Sequence, residues 1–340
     1  MALNVLPSEE LNDMPKVCKG LEIQPPSLLD TLAQPRKIEV SNLLKAPLPK
    51  AYTANQSTLQ KRSRAKAITN AVVFKLTAIQ SPMNKAYWST FHCSNSILQD
   101  GERLTSRYCN QRWCLVCNRI RTAKLMRGYL PSIDGMKDPQ FVTLTRPNVK
   151  GGYLRSTFGT MQSTFTQCKD VLRKQGITLV GIRKVETTYN EITNEFHPHF
   201  HFIIDGKKEA EALKTQWLIK NPKALHYLQD VKPCTDPIEL FKYFTKLLTK
   251  DGQFLAEPMD KAFRAMKGKR VFQPFGGIKK QSEDVDVNES SQCDWKEPQT
   301  EIWTFQSSGK FSDWYNANGE ALSEVELTDD TLGLIKRIQA

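Results

Sequence analysis

The chain has 340 residues, 39% of them hydrophobic and 25% charged, a composition ordinary for a soluble globular protein. No apolar run approaches the roughly 20 residues that a membrane-spanning helix needs, and the acidic start, interrupted by Pro7, is unlike a signal peptide. These two features lead us to expect a cytoplasmic protein. The net charge of +12 is the sum of +21 over residues 1–280 and −9 over residues 281–340. This distribution predicts binding to a polyanion such as nucleic acid, with a merely well-solvated surface as the alternative.

Residues 1–60 are rich in proline and have weak hydrophobic periodicity. The prolines are Pro7, Pro15, Pro25, Pro26, Pro35, Pro47 and Pro49. This segment is therefore predicted to be disordered or loosely packed. Residues 61–137 follow as a basic, helical and cysteine-rich module, in which one helix over residues 61–90 precedes the cysteines and a second helix, Asn118–Tyr129, follows them.

The cysteines of this module are spaced like metal ligands. The candidate ligands are Cys93, Cys109, Cys114 and Cys117. The two-residue gap between Cys114 and Cys117 is a recognised zinc-ligand spacing, whereas the longer gaps are compatible with zinc but less diagnostic. His92 could replace Cys93 as the fourth ligand, and a group of reduced structural cysteines is the alternative. Basic residues that could face DNA phosphates surround the group: Arg112, Arg119, Arg121 and Lys124.

Residues 138–280 are predicted to form an α+β domain around an antiparallel sheet. The order read from periodicity is a strand over 140–145, a helix over 155–175, a hairpin of strands 177–189 and 196–204, a helix over 213–228 interrupted at Asn221, a helix Ile238–Thr249, and a last strand near residue 272. Residues 281–340 are predicted to be an acidic tail, within which EIWTFQ and KFSDWY could form a late hairpin.

The strand over 196–204 has histidine at alternate positions, at His197, His199 and His201. Successive side chains of a strand point to opposite faces, so the three imidazoles share one face. A turn near residue 192 would place Glu186 directly opposite His199 on that face, although a slip of one residue would turn it away. Two imidazoles and a carboxylate predict a Mg²⁺ or Mn²⁺ site, and a surface strand without a metal is the alternative.

The helix Ile238–Thr249 carries Glu239, Tyr243 and Lys246 at spacings of four and three residues, so the three side chains share one face. A cation such as Lys246 favours the phenolate form of a nearby tyrosine. Taken alone, this pattern is more typical of an ordinary amphipathic helix with a solvated polar face.

In combination, the motifs resemble the HUH endonucleases, and most closely the single-tyrosine replication initiator (Rep) proteins of rolling-circle plasmids. The matching motifs are Phe141–Thr145, His199-Phe200-His201 and Lys242-Tyr243-Phe244-Thr245-Lys246, with weaker matches at 183–189, 269–270 and 276–279. The resemblance covers about residues 90–280. It implies a ferredoxin- or RRM-like catalytic fold, preceded in this chain by the zinc module.

The resemblance also implies a function. Tyr243 would nick single-stranded or hairpin DNA at a replication origin, forming a 5′-phosphotyrosine and leaving a 3′-OH, and Glu239 would activate the water that ends the round. Lys242, Lys269 and Arg270 are predicted DNA contacts. The chain has no G-x-x-x-x-G-K-[ST] motif, so host helicase and polymerase are expected partners, with homo-oligomerisation possible.

Three other functions compete with this one. A transposase of the HUH type commonly has two tyrosines four residues apart, and Glu239 occupies the place of the second. A mobilisation relaxase usually has its tyrosine before the histidines. A non-catalytic zinc-containing DNA-binding regulator would explain the basic charge and the cysteines, but it gives no reason for His199, His201 and Tyr243.

Overall fold

A computed structural model of the chain describes residues 56–100, 103–241, 252–281 and 301–340. Most of the segment predicted to be disordered, residues 1–55, lies outside the described residues, as do Lys242, Tyr243 and Lys246. The remaining predicted site residues can be compared with the structure.

The described elements alternate between helices and strands in a mixed order. The helices are α1 (Gln56–Ala78), α2 (Asn84–Phe91), α3 (Leu115–Asp134), α4 (Leu154–Lys174), α5 (Lys207–Lys220), α6 (Ile238–Phe241), α7 (Ala256–Met266) and α8 (Asp329–Gln339). The strands are β1 (Ser96–Asp100), β2 (Arg103–Ser106), β3 (Pro139–Thr145), β4 (Gly181–Asn190), β5 (Glu195–Asp205), β6 (Asp230–Pro233), β7 (Phe272–Phe275), β8 (Glu301–Ser308) and β9 (Phe311–Tyr315). None of the helices within this described part of the chain is long and apolar enough to cross a membrane.

A five-stranded sheet in the order β6-β3-β5-β4-β7 forms the centre of the predicted catalytic region. All of its neighbouring strands run antiparallel. The α+β fold with an antiparallel sheet and helices is therefore confirmed. The hairpin β4–β5 sits in its centre, with Glu186 directly opposite His199 as predicted.

The two faces of this sheet have different roles. One face is apolar and packs under α4 and α5; its buried residues include Val142, Leu144, Val185, Phe200 and Phe202. The apolar residues that recur at helical spacing in α4 are all buried there: Phe158, Met161, Phe165, Cys168 and Leu172. The opposite face carries the histidines, and at one end it packs against α3 and α6. Burial of one face leaves the other available for polar side chains.

A second sheet, in the order β2-β1-β8-β9, joins the cysteine-rich region to the end of the chain. The predicted late hairpin is confirmed as β8–β9, and Trp303 of β8 lies opposite Ile97 of β1. Trp303, Phe305 and Trp314 pack with Leu59 of α1 in one core. The predicted division of the chain into four segments stays a prediction, but residues 301–340 share a sheet and a core with the residues around the cysteines.

Some predicted elements differ from the structure. The helix expected over 213–228 instead begins at Lys207 and ends at Lys220. The Asn221 side chain donates to the backbone oxygen of Trp217 at its end, and Pro222 cannot continue the helix. The helix expected over 61–90 is divided into α1 and α2 at Pro82. The elements β1, β2, β6, α7 and α8 were not predicted.

Candidate metal centres and basic contacts

Glu186, His199 and His201 converge on the polar face of the central sheet. One potential ligand atom from each lies within 4.8 Å of the other two. The Nε2 atoms of both histidines lie 3.5 Å from Glu186 Oε2. The donor set of two imidazoles and a carboxylate, converging from neighbouring strands, fits a divalent cation. The structure thus brings together the three residues of the predicted catalytic metal site.

The hydrogen bonds of the two rings leave Nε2 as the metal-facing atom. His199 Nδ1 lies 3.0 Å from the backbone oxygen of His197. Because a carbonyl oxygen only accepts, Nδ1 carries the proton and a neutral ring has its lone pair on Nε2. His201 Nδ1 lies 3.1 Å from Thr143 Oγ1 on the neighbouring strand. Such outer partners orient metal-binding histidines.

Glu186 is held ionised by its surroundings. Burial by itself raises the pKa of its carboxyl, but hydrogen bonds with His199 and His201 and the charge of Lys184 lower the pKa well below its usual range. Lys184 is buried and forms an ion pair with Glu186 Oε1, while Oε2 faces the imidazoles. One carboxylate oxygen is therefore directed towards the histidines. Sequence reasoning missed Lys184, although its position two residues before Glu186 places it on the same strand face.

His197 shares the strand face of the two ligating histidines but has a different partner. Its Nδ1 lies 2.8 Å from Asn148 Oδ1, and its ring centroid is 5.8 Å from that of His199. Burial, with a smaller effect of His199, lowers the pKa of the His197 imidazole. It does not belong to the three-residue group, and it provides a matched control for substitutions at the metal site.

Helix α6, which carries Glu239, packs on the same face of the sheet as the metal group. Its Leu240 and Phe241 are buried against Ile182 and Ile203. By strand alternation, Ile182 shares a face with Glu186, and Ile203 shares one with His201. Glu239 is exposed on this helix. The predicted nucleophile Tyr243 and its neighbours Lys242 and Lys246 lie outside the described residues.

The four predicted cysteine ligands form a second candidate metal centre. The Sγ atom of Cys93 lies 3.5 Å from that of Cys117 and 3.6 Å from that of Cys114, and the Sγ atoms of Cys109 and Cys117 are 3.7 Å apart. A zinc ion with metal–sulfur bonds of about 2.3 Å would require sulfur–sulfur distances of about 3.8 Å. All four thiols are free of disulfides. Cys93, rather than His92, completes the group.

Backbone N–H donors and the start of a helix lie beside the sulfurs of this cysteine cluster. Backbone N–H groups of Cys109, Gln111 and Cys117 donate to the sulfurs of Cys93, Cys109 and Cys114. Cys114 is the N-cap of α3, where the helix dipole favours negative charge. Hydrogen bonds with Cys114, Cys117 and Cys93 lower the pKa of the Cys109 thiol, and the pKa of Cys117 is lowered as well. In contrast, the hydrogen bond with Cys109 raises the pKa of Cys93, and burial raises the pKa of Cys114. The four-cysteine group therefore fits a zinc ion.

A fully buried lysine, Lys66 of α1, lies beside the cysteine cluster. Its ammonium group donates to the backbone oxygen of Phe91 and lies 5.5 Å from the centroid of the Phe91 ring. Burial lowers the pKa of Lys66 to about 8, and negative charge on the four cysteines acts in the opposite direction. Lys66 would partly neutralise a cluster of thiolates.

Two of the basic residues that were predicted to contact DNA form hydrogen bonds with other parts of the protein. The Arg112 guanidinium donates to the backbone oxygens of Met266 and Lys269. Arg121 donates to Asn118 Oδ1 at 2.8 Å and to the backbone oxygen of Asn110 at 2.7 Å. Arg119 is exposed on α3, and Lys124 is half-buried one turn further along. DNA contact by Arg112, Arg119, Arg121, Lys124, Lys269 and Arg270 stays a prediction.

We expect Arg112→Gln to lower the free energy of unfolding by about 2 kcal/mol, because charge-assisted hydrogen bonds to two backbone oxygens are lost. Arg119→Gln, on the exposed side of the same region, should leave stability unchanged and weaken DNA binding. Urea denaturation of the two variants measures the difference. Equal stability of Arg112→Gln and wild type would mean that the two hydrogen bonds of Arg112 do not stabilise the folded protein.

Comparisons with known proteins agree with the motifs. Residues 102–230 match the family model described as "Replication protein". A "Protein rep" of Staphylococcus aureus is 34% identical over 108 residues, which cover 29% of this chain and 46% of the relative. A "Protein rep" of Streptococcus pneumoniae serotype 2 is 30% identical over 117 residues, which cover 31% and 36%. The chain spans less than half the length of these relatives, and no solved structure matches it significantly.

These matches confirm the predicted resemblance to plasmid Rep proteins, with which the HUH class is consistent. The matched segment contains the Glu186–His199–His201 group and most of the cysteine cluster, and it ends before Glu239 and Tyr243. The family match therefore bears on the candidate metal centres, whereas the prediction of Tyr243 as a nucleophile rests on the motif alone.

Proposed function

We propose, from the replication protein domain that residues 102–230 carry, that this chain initiates rolling-circle replication of a plasmid. It would act as a metal-dependent nickase and strand transferase at a specific site in single-stranded or hairpin DNA of the origin. The observation that carries the proposal is the convergence of Glu186, His199 and His201 on one face of the central hairpin. A DNA-binding regulator gives no reason for that arrangement.

Glu186, His199 and His201 would hold Mg²⁺ or Mn²⁺. A cation there would supply Lewis-acid polarisation of the scissile phosphate. Lys184, paired with Glu186, keeps one carboxylate oxygen turned away from the histidines and limits the excess negative charge near a phosphate. Thr143 and the backbone of His197 fix the orientation of the two rings. The protein thereby positions the scissile phosphate in a fixed, charge-balanced site.

Tyr243 is the proposed nucleophile. Its Oη forms a bond to phosphorus as the bond from phosphorus to the 3′ oxygen breaks, which gives a 5′-phosphotyrosine and a free 3′-OH. The phenol loses its proton, and the departing 3′ oxygen gains one. A free tyrosine has a pKa near 10, so a cation such as Lys246 assists by favouring the phenolate. Lys242 would contact the DNA backbone.

Glu239 is proposed to end the round. As a general base it would remove a proton from a water molecule that attacks the phosphotyrosine, and the bond from phosphorus to Tyr243 Oη would break. The exposed position of Glu239, on a helix packed over the metal-bearing face, supports this role. A transposase that used two tyrosines would transfer the strand instead. A host polymerase would extend the 3′-OH while a host helicase unwinds the duplex. Zn²⁺ in the cysteine cluster would have a structural role.

The decisive experiment is a nicking assay on a supercoiled origin plasmid, with and without Mg²⁺ or Mn²⁺. We expect His201→Ala to lower the nicking rate at least about 100-fold, since even outer partners of metal ligands are worth 10- to 100-fold. His197→Ala, on the same strand face but outside the metal group, should retain most of the activity. Equal rates for His201→Ala and wild type, or nicking that persists in EDTA, would refute the proposed metal site.

A further inference from the structure

A basic cleft lies on the face of the central sheet opposite the histidines. It has a volume of about 450 Å³ and opens between α4, β4, β7 and the turn at Gly268. Its charged lining residues are Lys169, Arg183, Lys269 and Arg270. No acidic side chain is among the described residues that line it. The cleft is therefore a concentrated positive site in a protein whose partner is proposed to be DNA.

Arg183 is the unusual member of this group. It occupies an inward position of β4 between buried residues and is only 2% exposed. Its guanidinium carbon lies 4.7 Å from the centroid of the Phe200 ring and 5.3 Å from that of Phe165. Nη2 donates to Gln273 Oε1 at 2.6 Å. Nε is buried without a hydrogen-bond partner among the residues that the structure describes.

Burying a charged arginine in an apolar core in this way costs folding free energy. Burial lowers the pKa of Arg183 to about 10, which shows how poorly its charge is compensated. A buried charge is normally paired with an opposite charge, whereas the Arg183 guanidinium contacts a neutral amide and two aromatic rings. An anion in the cleft would supply the missing counter-charge. The planar fork of arginine matches the oxygens of phosphate and of carboxylate, and phosphate is the one of these two groups that DNA supplies.

The other walls of the cleft are held in place by the protein itself. The Arg112 guanidinium bonds the backbone oxygen of Lys269 from one side. Arg155 donates to the backbone oxygens of Arg264 at 3.1 Å and Lys267 at 2.7 Å from the other. Gly268, with φ of +73°, allows the turn that follows. The loop that presents Lys269 and Arg270 is thus fixed before any ligand arrives, as expected of a preformed binding site.

We propose that this basic cleft binds a phosphate group, with Arg183 as its buried contact and Lys169 at its rim. Arg183 and Glu186 lie on opposite faces of β4, so this phosphate is a different one from the phosphate at the metal site. We take its source to be the DNA backbone away from the cleaved bond, a choice that rests on the proposed function. A free polyphosphate is the other source of the same chemistry.

The first test measures anion binding to the full chain by thermal unfolding with and without sodium pyrophosphate. Pyrophosphate should raise the melting temperature of wild type and of Lys174→Gln, an exposed control on the same helix as Lys169. It should have no such effect on Arg183→Met, which should be at least as stable as wild type without ligand because an uncompensated charge has been removed. Protection of Arg183→Met equal to that of wild type would overturn the inference.

The second test measures DNA affinity by fluorescence anisotropy over a range of salt concentrations. Lys169→Gln should weaken binding of a duplex origin fragment roughly 3- to 10-fold and lower the salt slope by about 1, while Lys174→Gln has no such effect. If Lys169→Gln loses pyrophosphate protection but keeps DNA affinity, the cleft binds a free polyphosphate. If Lys169→Gln and Lys169→Glu both keep the protection by pyrophosphate and the affinity for DNA, the inference fails. Neither assay requires nicking, so failure of the tyrosine chemistry would be seen separately.

Discussion

Tyr243→Phe protein should bind origin DNA with unchanged affinity and fail to nick it. The substitution keeps the aromatic ring and removes the one oxygen that would bond to phosphorus. Loss of a covalent nucleophile leaves only binding and electrostatic stabilisation, so we expect the rate to fall by roughly 10³-fold or more. The measurement is conversion of a supercoiled origin plasmid to the nicked form, together with capture of the covalent adduct on a labelled single-stranded oligonucleotide.

Other tyrosines provide the control for this experiment. Tyr227 is 77% exposed, outside the proposed motif. Tyr227→Phe should cleave and form the adduct like wild type. An adduct that maps to Tyr227 or Tyr189, or normal cleavage by Tyr243→Phe, would show that the nucleophile has been assigned wrongly.

Glu239→Gln tests the proposed termination step within the same assay. We expect this variant to cleave and to accumulate the phosphotyrosine adduct, because only hydrolysis of the adduct needs a base at this position. Normal turnover in Glu239→Gln would remove the proposed termination step. It would also leave open a transposase-like strand transfer.

Cys114→Ser should abolish zinc binding and lower the free energy of unfolding by several kcal/mol, because the binding energy of a structural zinc ion is also folding energy. Cys114 is fully buried, and it caps α3 while its sulfur lies 3.6 Å from that of Cys93. Loss of the Cys114 sulfur would remove the link between the start of α3 and Cys93, which follows the end of α2. Zinc content by mass spectrometry and urea denaturation of freshly purified protein measure the two effects.

Cys168 gives the matched control, since it is equally buried but belongs to the core under α4. Cys168→Ser buries a hydroxyl and should cost about 1–3 kcal/mol, yet it should keep its full zinc content. Wild-type protein without zinc would exclude the four-cysteine site. Equal zinc in Cys114→Ser and wild type would show that Cys114 is not a ligand.

The hairpin that carries the candidate metal ligands could be predicted because the patterns that define it lie within a short stretch of the chain. Alternation with period two placed His199 and His201 on one face, and a short turn set the register that brings Glu186 opposite His199. The cysteine spacing likewise indicated a candidate metal site, and the apolar spacing of α4 indicated its buried face. These patterns depend on residues that are close in the chain.

The tertiary structure alone showed the contacts between distant segments. Nothing periodic links Ile97 to Trp303, so the joining of β1 to β8 had no local signal. The sequence likewise could not show that Arg112 would bond the loop before Lys269, or that Arg183 would be buried beneath Phe165. Local periodicity indicates which face of a helix or strand is apolar. Which other element packs on that face depends on the folding of the whole chain. The sequence by itself therefore determined the candidate metal ligands and the central hairpin, and only the tertiary structure decided what surrounds them.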